Sequence, residues 1–374
     1  MKHRCIYSLK TVNEAKFNTQ EHIIPACVGG NRRLPKGYVS DEVNELFSKL
    51  ERPFARQTDI AIMREFMGPG KRGSLNPKKA TTSEVRIFQN VGNHELGLGY
   101  IKLGKPYSIN QIYIYKDTNR VKFSLAPSDN LSNSELLVEF WTQLEELCQM
   151  PQRINIIQSD KLEKSVYILG YHNRQWHLAI ETTICTDKAR EYACCSVKCM
   201  LEAKKNNKVD MPRSVDDVAI TASQVMSNYL MEFDNNDRYR IIAKTAFNCL
   251  AHLAGSKYVL GADFDPIRKA IYEGEDMHGY FDLMNYDNRN NTSSFSDIFK
   301  TYDTHRNQKL GDQYHGILFF GAMDKQKCAV GFYGLERPHI VNLARISEKT
   351  YFGGFFCDWR ARKEIDLIEY ITTT

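Results

Sequence analysis

Hydrophobic positions fall into three kinds of pattern along the chain. Near the N-terminus, Val43, Leu46, Phe47 and Leu50 recur at the 3.6-residue period of a helix with one apolar face. Ser40 before Asp41 and Glu42 supplies an N-cap and an acidic first turn, so a helix is predicted over Ser40–Glu51. A second helical pattern covers Ala55–Phe66 and stops at Gly68-Pro69-Gly70, while Arg4–Leu9 reads as a short strand followed by loop through Gly37. From 81 to 210, short β-branched and aromatic runs (Val85–Phe88, Ile112–Tyr115, Val121–Leu125, Val166–Leu169) mix with helices near Glu135–Cys148 and Lys188–Lys204. Residues 214–273 read as mostly helical. After a polar stretch, Asn285–Ser294, and a short helix near Phe295–Tyr302, the tail alternates with period two. It predicts antiparallel strands at His315–Phe320, Gln326–Tyr333, Ile340–Ala344 and Tyr351–Phe356. The fold class expected is α+β, with an antiparallel C-terminal sheet.

Composition narrows this little: 374 residues, 42% hydrophobic and 25% charged, exclude disordered and fibrous classes and leave room for two or three folded units. No stretch approaches the roughly 18 apolar residues of a membrane span. Two basic residues in Met1–Arg4 with no apolar stretch behind them give no secretory signal. Ten cysteines are then expected reduced, in a cytoplasmic protein. Charge changes the picture more. Residues 1–80 hold 15 Lys and Arg against 8 Asp and Glu, whereas residues 81–374 hold 35 against 37. A basic segment on a near-neutral body suits a phosphate-facing module. The Gly/Pro/Lys/Arg stretch Gly68–Lys79 marks its end, giving expected domains 1–80 and 81–374, the latter with a further division near 210.

The candidate chemistry lies in residues 5–51. Glu21-His22-Ile23-Ile24-Pro25 sets a carboxylate beside an imidazole, Gly29-Gly30 follows, and Asn44 stands on the first turns of the predicted helix, where Asn has poor propensity. A carboxylate and a side-chain amide suit Mg²⁺, and a neutral histidine can take a proton from water near neutral pH.

These residues, with Cys5-Ile6-Tyr7 and Lys49-Leu50-Glu51, resemble the HNH endonucleases, the ββα-metal nucleases, and most of all a subgroup of uncharacterised bacterial proteins with an EHIIP motif. The resemblance covers about residues 5–51. It implies a small ββα-metal module ahead of a larger α+β body. It also implies His22 as general base, Glu21 and Asn44 as ligands of a Mg²⁺ or Mn²⁺ ion, and Asn31 as the asparagine that braces the loop. The same subgroup carries a four-cysteine zinc frame. Here those positions read Cys5, Ser8, Ser40 and Val43, one thiol where a tetrahedral site needs four ligands, so no structural zinc is expected.

The function implied is metal-dependent hydrolysis of nucleic acid, DNA foremost. Lys71, Arg72, Lys78 and Lys79 are candidates for backbone contact. The alternative is a nucleic-acid-binding or regulatory protein with an inactive module. Cys185, Cys194, Cys195 and Cys199, with His172 and His177 upstream, could suggest a second metal, but Tyr192, Cys195 and Cys199 share a helix face and read as core.

Overall fold

The stripe that begins at Val43 is carried by α1 (Asp41–Gln57), which buries Val43, Phe47, Phe54 and Ala55. The computed structural model describes residues 3–70, 73–89, 94–127, 131–149, 154–206, 234–282, 314–322, 324–334, 338–346 and 350–372. Instead of stopping near Glu51, α1 runs through Pro53. A proline inside a helix forfeits one hydrogen bond, and the buried Phe54 and Ala55 just beyond it hold the extra turn in place. Thr58 then ends it, donating to the Phe54 carbonyl at 2.6 Å and accepting from the Ile60 N–H at 3.2 Å to cap α2 (Asp59–Met67). The expected strand at Arg4–Leu9 is instead a turn: the Leu9 N–H donates to the Cys5 carbonyl at 3.0 Å, and Leu9 itself has φ 59°. Only an isolated bridge, Arg4 to Thr11, keeps strand character there.

The chain divides into two compact units, Thr82–Leu230 and the combination of Met1–Thr81 with Met231–Thr374. The break expected after residue 80 coincides with one edge of the inserted unit. Residues 81–374 are shared between the two units. The division anticipated near 210 lies outside the described residues.

The inserted unit contains a three-stranded antiparallel sheet of β1 (Arg86–Gln89), β2 (Leu96–Lys102) and β3 (Lys105–Ser108). Next come β4 (Asn110–Tyr115), β5 (Arg120–Ser124), α3 (Asn133–Leu147), β6 (Ile154–Gln158), β7 (Val166–His172), β8 (Gln175–Ile180) and α4 (Thr186–Lys205). Its five-stranded sheet has the order β5-β4-β7-β8-β6, with β6 and β8 parallel and the other pairs antiparallel. Side chains alternate across this sheet as period two demands. Ile112, Ile114, Leu169 and Leu178 pack with Phe140, Trp141 and Leu144 of α3 and Val197 of α4, while Tyr113, Ile168 and Ala179 pack with Leu98 of the small sheet. On α4 the buried stripe is Ala189, Ala193, Cys194, Val197 and Leu201. It lies one residue round from the face expected as core, so Cys195 and Cys199 are exposed.

The second half of the other unit opens with α5 (Asn235–Ala254), followed by the short helices α6 (Ser256–Val259) and α7 (Asp265–Lys269). Its sheet has the order β11-β10-β9-β12-β13, built from β9 (Tyr314–Ala322), β10 (Lys325–Gly331), β11 (His339–Arg345), β12 (Gly353–Asp358) and β13 (Lys363–Asp366), and α8 (Leu367–Thr372) follows. Every pairing is antiparallel, as the alternation predicted. From Arg240 to Ala251, α5 is buried on all sides. One core joins Ile241, Phe247 and Leu250 of α5 to Ile317, Phe319, Val330 and Phe355 of the sheet and to Ile6, Ile23, Val43 and Phe47 of the N-terminal segment. The expected polar stretch Asn285–Ser294 and helix Phe295–Tyr302 lie outside the described residues. Among the described residues no helix is long and apolar enough to cross a membrane.

Candidate functional site

The Glu21–Pro25 segment folds into a minimal antiparallel ribbon. The Leu34 N–H donates to the Glu21 carbonyl at 2.8 Å, the Ile23 N–H donates to the Arg32 carbonyl at 3.1 Å, and His22 stands opposite Arg33. The Gly29-Gly30 pair makes the return possible for two separate reasons. Gly29 has φ 104°, a left-handed conformation that glycine adopts without strain. A Cβ on Gly30 would lie 1.9 Å from the Ile24 carbonyl oxygen, so only a hydrogen fits.

Two parts of the C-terminal half clamp this ribbon. From the sheet, Nε2–H of the fully buried His315 donates to the Val28 carbonyl at 2.7 Å. The Glu364 carboxylate accepts from the consecutive N–H groups of Asn31 (2.9 Å) and Arg32 (2.5 Å). The Arg32 guanidinium donates to Asp366 and to the Glu364 carbonyl, and lies 5.4 Å from the centre of the Phe355 ring. From α5, three polar residues at i, i+4 and i+8 form one stripe that faces the ribbon. Lys244 pairs with both Glu21 and Glu51. The Asn248 amide donates to the His22 carbonyl at 2.9 Å and accepts the Tyr7 hydroxyl proton at 2.6 Å. His252 meets the Arg32 guanidinium at 3.3 Å.

The sequence-derived site residues therefore have unequal surroundings. His22 is half-buried, and burial first and the Arg33 guanidinium second hold its pKa below the ordinary value. The exposed Arg33 donates its Nε–H to His22 Nε2 at 3.4 Å, which leaves the ring neutral with an acceptor nitrogen turned toward a cation. Glu21 is only 4% exposed, and burial raises its pKa even though Lys244 opposes the shift. Burial alone would lower the Lys244 pKa, but the two carboxylates raise it, so the ammonium stays charged. Beneath it lies the Phe47 ring, 5.2 Å from Nζ to the ring centre.

Asn44 lies on the same helical face as Glu51 but about 10.5 Å earlier along the axis, and its amide has no hydrogen-bond partner among the described residues. Asn31 is exposed. Its side chain accepts from Arg362 at 3.5 Å, and the amide that braces the backbone of His22 is that of Asn248. Lys78 and Lys79 are exposed at the end of a short 3₁₀ turn, Pro77–Lys79, while Lys71 and Arg72 lie outside the described residues. At the four positions that the resemblance aligns with a zinc frame, Cys5 and Val43 are fully buried in the core. The Ser8 and Ser40 hydroxyls are also buried and lack partners among the described residues.

These donors do not fit a divalent ion as they stand. An ammonium already lies between Glu21 and Glu51, and no group of three or more His, Cys, Asp or Glu side chains among the described residues is arranged to hold a metal. Lys244 and Asn248 escaped the reading of the sequence. Their signal was nevertheless present: in Ile241–Ala254 the polar residues Lys244, Asn248 and His252 recur every four positions, and apart from Thr245 the rest of the segment is apolar. No family model, curated protein or solved structure matches this chain.

Proposed function

We propose that this protein is an endonuclease-type phosphodiester hydrolase acting on nucleic acid, DNA foremost, in which His22 takes the proton of the attacking water. The observation that carries the reading is a neutral, half-buried imidazole fixed through its own backbone by Asn248 and bordered by an exposed guanidinium. A phosphate arriving at this edge draws the Arg33 N–H groups to its own oxygens, since charge-assisted bonds to an anion are the stronger ones. That exchange frees Nε2 to accept a proton. Water oxygen then bonds to phosphorus, the bond to the 3′-oxygen breaks, and the departing oxygen takes a proton from a second water, leaving 5′-phosphate and 3′-hydroxyl ends while the proton on His22 passes to the hydroxide that remains. The excess of basic residues in 1–80 and the resemblance to HNH nucleases support the same assignment. No step is routed through a metal, because the carboxylate that would hold one is engaged by Lys244.

The test is cleavage of duplex DNA, single-stranded DNA and RNA by the purified chain in Mg²⁺, Mn²⁺ or EDTA, with His22→Ala beside the wild type. The variant removes no charge at neutral pH, so binding is retained while cleavage falls about 100-fold or more. Wild-type cleavage by His22→Ala would dismiss the mechanism. A second reading, a nucleic-acid-binding protein whose module does not cut, is favoured by the engagement of Glu21 with Lys244. Binding without cleavage of any substrate under all three ionic conditions would establish it.

A further inference from the structure

We infer that Lys244 is a built-in substitute for the divalent cation: the space between Glu21 and Glu51 is filled by an ammonium supplied by α5, and it takes up no metal ion. This deepens the proposed function and rests on it only for the meaning of the place, since occupancy of the space can be measured without any substrate.

Three observations carry the inference. The first is position: Lys244 Nζ contacts Glu21 of the ribbon and Glu51 of α1, at 2.5 Å in the second case, so one cation joins carboxylates from two separate elements. That is the task a bridging ion would perform. The second is dryness. Lys244 is fully buried and Glu21 is 4% exposed, with the Phe47 ring beneath the ammonium. A Mg²⁺-type ion needs about six oxygen ligands and usually keeps several waters, whereas the Phe47 ring offers no oxygen on its side and only Glu51, 19% exposed, reaches toward solvent. The third is anchoring: Lys244 belongs to the same stripe as Asn248 and His252, in the helix buried on all sides. Its four-carbon stem cannot swing aside into solvent without disturbing that helix.

The chemical consequence follows from burial. A fully buried ammonium does not touch a phosphate, so Lys244 is not a Lewis acid for the reaction. It is a positioning residue. By fixing the Glu21 carboxylate it fixes the residue next to His22 and completes, from the side-chain direction, the hold that Asn248 takes on the backbone.

The experiment is a Mn²⁺ titration of the metal-stripped full-length protein, followed by electron paramagnetic resonance and by thermal unfolding, on wild type, Glu21→Gln, Lys244→Ala and the double variant. Wild type is expected to show no Mn²⁺ site that Glu21→Gln removes. Lys244→Ala, with its ammonium gone and two carboxylates left facing each other, is expected to gain one. Its Tm should rise by about 5 °C at a Mn²⁺ concentration 100-fold above the dissociation constant, an effect lost in the double variant. A wild-type Mn²⁺ site abolished by Glu21→Gln overturns the inference, as does a folded Lys244→Ala that gains no site. Should Lys244→Ala not fold, the wild-type and Glu21→Gln titrations decide the matter alone. Failure of the functional reading looks different: a chain that cuts nothing can still refuse Mn²⁺, and a chain that cuts can still bind it.

Discussion

His315 has one protonation state in which both its nitrogens keep their partners. Nε2–H donates to the Val28 carbonyl, and Nδ1 accepts from the Tyr333 N–H at 3.0 Å. Adding a proton at Nδ1 sets two donors against each other in a fully buried place, and burial pushes the pKa down to about 4. The folded-state pKa is thus lower than the unfolded value of about 6.5. Its contribution to stability is present above pH 6.5 and is lost as pH falls through the window down to 4, by an amount on the order of 3 kcal/mol. Urea unfolding between pH 7 and pH 4 should show that loss, and His315→Asn, although less stable at pH 7, should show a shallower pH dependence. An equal slope in the two proteins would place the acid sensitivity elsewhere. At this scale the sequence spoke unevenly. Glu21, His22 and the Gly29-Gly30 pair stand out because they are neighbours in sequence, whereas the contacts they make, such as the close approach of Gly30 to Ile24, appear only in the structure. His315 was not legible, because its partners lie 287 and 18 residues away.

Among the elements, α1 was easiest to read, since its stripe faces one way, although Ser40 at its N-cap position makes no side-chain capping bond. The helix α5 was expected only as part of a helical region, because burial on all sides blurs amphipathic periodicity. What that blur hid was the stripe that grips the ribbon. Strand β13 was missed for the opposite reason. Lys363–Asp366 shows almost no apolar alternation, and its role is to pair with β12 and present Glu364 to the Asn31 and Arg32 N–H groups. The stripe on α5 makes a measurable claim. Asn248→Ala removes the bond to the His22 carbonyl and leaves the buried Tyr7 hydroxyl without its best acceptor, a cost of about 1–3 kcal/mol in urea unfolding. If Tyr7 and Asn248 act as one unit, adding Tyr7→Phe should cost less than the sum of the two single changes. Simple additivity would separate them.

For the whole molecule, the α+β class was legible, but the return of the chain was not: the expected body 81–374 is shared between two units. Sequence patterns report neighbours, whereas the core of the N-terminal segment is completed by residues far along the chain, with Ile6, Ile23 and Phe47 sharing it with Phe247, Ile317 and Phe355. Residues 1–81 produced alone should therefore lack a cooperative unfolding transition. Residues 82–206, which include the strands and helices that form their own cores, should show one by urea titration monitored by circular dichroism. A sharp transition in the 1–81 fragment would mean that the segment folds without α5 and the sheet.

The interruption of one unit by another also imposes a schedule on synthesis. The ribbon leaves the ribosome early, yet Lys244, Asn248, His315 and Glu364 arrive only after the whole of Thr82–Leu230 has been made. At about 5–20 residues per second that interval lasts roughly 7 to 30 seconds. Throughout it the Glu21 carboxylate has no ammonium and the His22 backbone no brace. A nascent chain therefore carries Glu21 and His22 without the contacts that position them, and those contacts come only with the final segment, Met231–Thr374.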